Sequence, residues 1–236
     1  MVQFTLLLCL ACVACTDALD TSEKDLELGV SPKIENSSES ASTILEKVSD
    51  RYRKIKQIDL KGYNRYHSTP HSGVIDQSFE FELRYRSNEA LDILWKDEGK
   101  TFAFSSNRSR SVLKVDDQIV DTDDDPFGGL LGIESNTGKD RFEIGRILFG
   151  SERTTGMLRS FEILHDFDEV QESTIDGKHC YLITGRNRTY PLTTAKYWIE
   201  KSSYLIIQYQ SEMRFKNNPT RISTTTERYN YGLDSK

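Results

Sequence analysis

Ser78-Phe79-Glu80-Phe81-Glu82-Leu83-Arg84-Tyr85-Arg86 decides the fold, because Phe79, Phe81, Leu83 and Tyr85 alternate strictly with Ser78, Glu80, Glu82, Arg84 and Arg86. Successive side chains of a β-strand point to opposite faces, so this period of two makes a strand with one dry and one wet face. Working outward, the same alternation runs through Leu91, Ile93 and Trp95, then Phe102 and Phe104, then Val112 to Val115. Glu98-Gly99-Lys100 is long enough only for a hairpin turn. Later in the chain, Phe161–Ile175 meets Lys178–Thr184 through Asp176-Gly177, a dipeptide suited to the positive φ angles of a tight turn. Ala195–Glu200, Tyr204–Phe215 and Arg221–Tyr229 follow as strands, with Leu205, Ile207, Tyr209, Met213 and Phe215 expected on one face.

About ten antiparallel strands result. A sheet of that size curls, because twist accumulates and open edges invite association. Two helical segments accompany it. Thr43 with Glu46 forms a capping-box pattern, and Ile44, Val48, Tyr52 and Ile55 recur at helical spacing through Ile58. Between Asp121 and Gly156 the strand pattern is interrupted by the Gly-rich apolar stretch Phe127–Gly132, with Leu130 and Leu131. A short helix over Asp140–Phe149 follows, carrying Phe142, Ile147 and Leu148. The expected fold is therefore mainly β in the α+β class: a large curved antiparallel sheet forming a barrel or half-barrel, covered by the N-terminal and mid-chain helices.

Met1–Ala18 reads as an export signal, with an apolar run too short for a comfortable permanent span and small residues after it. Residues 19–41, rich in Ser, Glu, Lys and Asp, read as a flexible lead, and the domain is expected over 42–236. Cys9, Cys12 and Cys15 fall within the signal. Leu10-Ala11-Cys12 and Val13-Ala14-Cys15 each resemble the end of a bacterial lipoprotein signal, which makes Cys12 and Cys15 candidate lipidation sites and allows a membrane-anchored form. Cys180 alone remains inside the chain and cannot close a loop; it reads as a small buried hydrophobe on a strand.

With 37 acidic and 31 basic residues the net charge is -6, which excludes a general nucleic-acid binder needing a dense positive surface. Hydrophobic residues at 36% are too few for several membrane spans, and 24 aromatic residues are too many for a disordered chain.

Several strings resemble the periplasmic lipoprotein carriers, the LolA- and LolB-like proteins. Glu82 to Trp95, with Arg86-Ser87-Asn88-Glu89-Ala90-Leu91-Asp92-Ile93-Leu94-Trp95, looks like their strand, Arg-Pro turn and strand, except that Ser87 stands where the Pro would be. Glu98-Gly99-Lys100-Thr101-Phe102-Ala103-Phe104 is similar to their Asp-Gly-Lys hairpin and aromatic strand. Asp176-Gly177-Lys178-His179-Cys180-Tyr181-Leu182 and Tyr197-Trp198-Ile199-Glu200 resemble a late hairpin of related extracytoplasmic domains. The resemblance, over about Ser42 to Tyr231, implies an unclosed barrel with a helical lid, whose apolar cavity accepts acyl chains. It also makes Arg86 a candidate lid latch.

Other motifs fail on chemistry. Asp121-Thr122-Asp123-Asp124-Asp125 starts like a calcium loop, but Pro126 stands where the loop needs Gly and Gly132 where it needs Glu. His67 and His71 flank Pro70 in a loop, so neither a helix nor a metal pair is expected. His165 with Asp166 and Asp168 lacks a nucleophile, and Glu80 with Glu82 should be solvent-exposed. The sequons at Asn36, Asn107 and Asn187 suit glycosylation only in a eukaryotic source.

The sequence thus points to an exported, non-enzymatic lipid or lipoprotein-binding carrier, monomeric and without metal or cofactor. Its partner is a lipid or a lipid-modified protein, with contact to a membrane surface. The cavity lining is assigned to Phe79, Phe81, Leu83, Tyr85, Ile93, Trp95, Phe104, Leu205, Ile207 and Tyr209, and the gate to Phe127, Leu130, Leu131, Ile147 and Leu148. The competing reading is an extracytoplasmic sensor or scaffold of the same fold with a filled core. A hydrolase on a curved sheet is a third, for which no nucleophile, metal set or spaced carboxylate pair is present.

Overall fold

The computed structural model describes residues 35–69, 73–87, 90–107, 109–124, 142–152, 165–188 and 192–232, all within one compact unit. In chain order they form β1 (Glu35–Asn36), α1 (Ala41–Lys54), β2 (Gln57–Ser68), β3 (Ile75–Arg86), β4 (Ala90–Asp97), β5 (Lys100–Asn107), β6 (Ser111–Val115) and β7 (Gln118–Asp123). There follow α2 (Glu143–Glu152), β8 (His165–Ile175), β9 (Lys178–Asn187), β10 (Thr193–Glu200), β11 (Ile206–Phe215) and β12 (Asn218–Tyr231).

All twelve strands join one antiparallel sheet in the order β1-β8-β9-β10-β11-β12-β2-β3-β4-β5-β6-β7. Two runs of consecutive hairpins meet where β12 pairs with β2, from Ser223 against Ser68 to Tyr231 against Leu60. The edges β1 and β7 do not pair with each other, so the half-barrel stays unclosed, as the resemblance to the lipoprotein carriers implies. The N-terminal signal, most of the lead and the Phe127–Gly132 stretch lie outside the described residues.

Helix α1 begins at Ser40, whose hydroxyl accepts the Thr43 N–H at 3.2 Å, three residues before the expected cap. Its inward stripe is Ile44, Leu45, Val48, Ser49 and Tyr52, and Arg51, Arg53 and Lys54 face the negative pole of its last turn. The helix stops at Lys54, where Ile55 turns extended, so Ile58 belongs to β2 and not to the helix. Strand β2 escapes a search for alternating apolar residues because its inward positions after Ile58 and Leu60 are Gly62 and Asn64.

Gly62 has a specific reason to lack a side chain. It pairs with Phe81 on one side and Tyr229 on the other, and their rings meet edge to face at 6.5 Å. A Cβ on Gly62 would fall 2.0 Å from Cζ of Phe81. The ring therefore packs onto bare backbone, where the sheet needs close approach.

A β-bulge interrupts β10 against β11: Gln208 faces Trp198 and Ile206 faces Ile199, leaving Ile207 as the extra residue. The one-sided arrangement of Leu205, Ile207 and Tyr209 expected from a strict period of two is thereby corrected. Ile206 takes the place in the core cluster, and Ile207, though buried, lies outside it. The backbone of Ile206 is satisfied by α1 and β12. Its N–H donates to the Tyr52 hydroxyl at 3.1 Å, Tyr52 meets the Tyr231 hydroxyl at 2.7 Å, and Tyr231 donates to the Ile206 carbonyl at 2.6 Å. Because Tyr231 gives its one proton to the carbonyl, Tyr52 must donate to Tyr231, which closes a directional ring of hydrogen bonds.

Two outcomes are expected. Gly62→Ala should lower stability by about 1–3 kcal/mol in urea denaturation, the cost of overpacking, and Phe81→Ala should cost less when combined with Gly62→Ala than it costs in the wild-type chain. Burial pushes the Tyr52 phenol up to about 12, against the ordinary value of 10.0, and holds Tyr231 well above that value too. A raised folded-state pKa stabilises the protonated form, so this contribution is complete below pH about 10 and is lost as pH climbs toward 12. Tyrosinate absorbance and loss of circular dichroism should then rise together above pH about 10; early, unfolding-free ionisation of these residues would contradict the buried ring.

Candidate functional site

Cross-strand neighbours share a face, so the register assigns Leu60 with Leu83, Leu83 with Ile93 and Ile93 with Phe104 to the concave side of the sheet. On that side α1 and α2 touch each other and the sheet, and one hydrophobic cluster runs through all of them. Phe142, immediately before α2, is the wedge. Its ring lies 4.9 Å from Trp95, 5.1 Å from Phe81 and 6.1 Å from Phe79, while Trp95 stacks on Phe102 at 5.0 Å. Ile144, Ile147 and Leu148 of α2 are buried beside it.

The sequence-predicted lining therefore converges. Phe79, Phe81, Leu83, Tyr85, Ile93, Trp95, Phe104, Leu205 and Tyr209 all belong to this cluster, and Ile207, though buried, does not. Of the gate residues, Ile147 and Leu148 are in the cluster, whereas Phe127, Leu130 and Leu131 lie outside the described residues, as do Cys12 and Cys15. Arg86 is exposed and alternates with inward Tyr85, so it stands on the outer face, away from the helices.

What reaches α2 from the sheet wall is Glu227. Wholly buried on β12, it accepts the Glu143 N–H on both carboxylate oxygens, at 3.2 and 3.1 Å, and the Tyr229 hydroxyl at 2.7 Å. Glu143 opens α2, where amide N–H groups have no intrahelical acceptor and the helix presents its positive pole. The carboxylate thus caps a helix from a distant strand. Burial, then the Glu227 charge, hold the Tyr229 phenol well above its usual range. The Glu143 carboxylate in turn accepts from the Tyr197 hydroxyl at 3.3 Å. Sequence reasoning misses Glu227, although a signal for it exists: it stands two residues before inward Tyr229 and so shares its face.

The rest of the titratable chemistry is dispersed. Among the described residues no group of three or more His, Cys, Asp or Glu side chains is placed to hold a metal ion. The Asp166 carboxylate is engaged by Arg188 at 2.7 Å. Glu80 and Glu82 are exposed on the outer face, with Glu82 3.3 Å from Lys61. Cys180 is buried, and that burial pushes its thiol up to about 11, the opposite of what a nucleophile needs. Among the described residues no helix is long and apolar enough to cross a membrane.

No protein-family model matches the sequence, and no curated protein is similar to it. Solved structures with similar folds include the MucA/MucB complex of Pseudomonas aeruginosa, at 14% identity and TM-score 0.44, covering 81% of this chain; this chain spans 57% of that one. A domain of an outer membrane lipoprotein-sorting protein from Vibrio parahaemolyticus is similar at 10% identity and TM-score 0.33, over 82% of this chain and 92% of that one. A LolA superfamily protein from Nitrosomonas europaea is similar at 11% identity and TM-score 0.30, over 78% and 90%.

Glu227→Gln keeps the size of the cap and removes its charge. It should cost about 1–2 kcal/mol and raise amide hydrogen exchange in α2 before that in β2 or β3. Unchanged exchange in α2 would show that the carboxylate does not hold the helix.

Proposed function

We propose that this chain is an exported, non-enzymatic binding protein whose concave face receives the acyl chains of a lipid or a lipid-modified protein when α2 moves aside. The observation that carries the reading is the plug itself: an aromatic concave wall covered by a helix that enters through one ring, Phe142, and is capped by one buried carboxylate, Glu227. The resemblance of the Arg86 to Trp95 and Glu98 to Phe104 strings to the lipoprotein carriers supports the same reading.

Magnitudes allow the exchange. Burying a large apolar side chain is worth about 1.5–3 kcal/mol, so Phe142, Ile144, Ile147 and Leu148 together contribute on the order of 6–12 kcal/mol as an upper bound. An acyl chain of about 16 carbons gains on the order of 12 kcal/mol at about 0.8 kcal/mol per methylene. Ligand and helix then compete for one surface at similar cost, as reversible loading and release require. In this reading the N-terminal segment is removed on export, either whole or only up to Cys12 or Cys15, which is then the lipidated first residue, and intact mass of the mature protein reads directly which.

A second reading is favoured by the completeness of the packing, since all ten lining residues are buried and nine of them belong to one cluster with the helices. In it the interior is a permanent core and the domain is an envelope sensor or scaffold that contacts a protein partner.

The two readings separate on lipid. Organic extraction of purified protein followed by mass spectrometry should release bound lipid, and a fluorescent fatty acid should be taken up. Glu227→Gln should raise uptake several-fold by loosening the helix; Phe142→Ala, which also costs about 3–5 kcal/mol as a cavity, should do the same if it folds. No extractable lipid together with no uptake by any of the three proteins would leave the scaffold reading.

A further inference from the structure

Large apolar side chains are left in water at one end of the sheet. Strands β10, β11, β12, β2 and β3 lie side by side and antiparallel, so the start of β10, the β11–β12 turn and the β2–β3 connection all fall at that end. Backbone bonds knit them into one rim: the Arg214 N–H donates to the Leu192 carbonyl at 3.0 Å, and the Thr69 N–H to the Ile222 carbonyl at 3.0 Å. Along this rim Val74 is 67%, Leu192 45% and Ile75 42% exposed, three of the six large apolar side chains exposed among the described residues. Single exposed aliphatics are ordinary, whereas several on one rim mark a contact surface.

The charges of the rim lean one way. Arg186, Arg214 and Lys216 are exposed, and the Arg221 guanidinium lies on the half-buried Phe215 ring at 4.0 Å. Each carboxylate here is matched by an arginine: Glu212 by Arg214 at 2.9 Å, Asp76 by Arg65 at 2.9 Å and Asp166 by Arg188 at 2.7 Å. Arg186, Lys216 and Arg221 are thus left without an ion-pair partner among the described residues, in a chain whose net charge is -6. Past β3 the balance reverses, because the β4–β5 and β6–β7 turns bring Asp97, Glu98, Asp116 and Asp117 against Lys100, and this bounds the basic stretch.

Aliphatic tips on three neighbouring connections, with cations among them, meet a plane and not a cleft. A bilayer of anionic phospholipid offers both halves of the match, phosphates for the cations and an acyl boundary just beneath for the aliphatics. We propose that this rim docks on an anionic phospholipid surface, with Arg186, Lys216 and Arg221 at the phosphates and Val74, Ile75 and Leu192 at the acyl boundary. None of these residues belongs to the concave cluster, so docking is independent of lipid loading.

The test uses the purified chain, its intact mass showing no acyl group, sedimented with vesicles of phosphatidylcholine alone or mixed equally with phosphatidylglycerol. The chain should sediment with the mixed vesicles, less with the neutral ones, and less in about 1 M salt. Arg186→Glu with Lys216→Glu, and separately Val74→Asp with Leu192→Asp, should each weaken binding at least about tenfold. Lys61→Glu with Lys96→Glu makes the same change of net charge on the outer face and should bind as wild type does. All the substituted side chains are exposed, so the variants should retain wild-type circular dichroism and fatty-acid uptake. No sedimentation of wild type with the mixed vesicles, rim variants that bind as wild type does, or an equal loss in the Lys61 and Lys96 variant would each overturn the proposal. So would release from vesicles on saturation with fatty acid, which would assign the binding to the concave face, or an acidic protein recovered on the rim without vesicle binding. Fatty-acid uptake reads the concave face alone, so the two proposals fail separately.

Discussion

An open sheet with rings along its inner face cannot stand in water uncovered, and that constraint organises everything else in the molecule. Phe79, Phe81, Tyr85, Trp95 and Phe104 are almost wholly buried, although the sheet's ends never meet to enclose them. The enclosure comes instead from two helices laid on the concave side. α1 is fixed by chain connection to β2 and by Tyr52, whose hydroxyl enters the backbone of the bulge at Ile206. α2 has a different attachment, a ring inserted between rings and a carboxylate at its positive end. One cover is woven into the sheet and the other is set upon it.

That asymmetry follows from where polar groups are placed in a low-dielectric interior. A buried carboxylate such as Glu227 is tolerated only when hydrogen-bonded, and the Tyr229 hydroxyl and the first amide of α2 supply the bonds. Lifting the helix removes one set of donors, so the wall and the cover stabilise each other in the closed state. The Ile206–Tyr52–Tyr231 ring works the opposite way: each hydroxyl both donates and accepts, leaving no unmade bond to tempt α1 off the sheet. Breaking it would strand a buried backbone N–H, a cost of about 1–3 kcal/mol.

Most of the sheet is legible from residue types because its inward positions are apolar and its outward ones charged. Strand β3 carries this contrast from Phe79 to Arg86 and β4 carries it but for exposed Leu94, and Asp176-Gly177 at positive φ marks the turn between β8 and β9. β2 is hidden because Gly62 answers to a ring on the next strand, and that requirement is visible only once Phe81 is seen to pair with it. β7 is hidden too, because its exposed Ile119 and Val120 and its aspartates bury no face that a period of two could report. The bulge at Ile207 is invisible for another reason. Ile206 and Ile207 have the same hydrophobicity, and the Tyr52 and Tyr231 hydroxyls that bond the Ile206 backbone at the bulge are distant in sequence. Likewise the hold on α2 is a pairing between positions 84 residues apart, and no local pattern announces it.

The two faces of the sheet then differ in what a ligand must do to reach them. On the concave side, any guest has to replace contacts that the protein already makes with itself, so occupancy is coupled to the position of α2 and its rate is limited by that movement. On the convex side the surface is already formed, its side chains solvated and in part held by ordinary surface ion pairs such as Lys61 with Glu82, worth little each. β3 and β4 contribute to both, Phe81 and Trp95 inward and Glu80 and Leu94 outward. The alternation that makes the fold readable is thus also what gives the two faces of one strand separate chemistries.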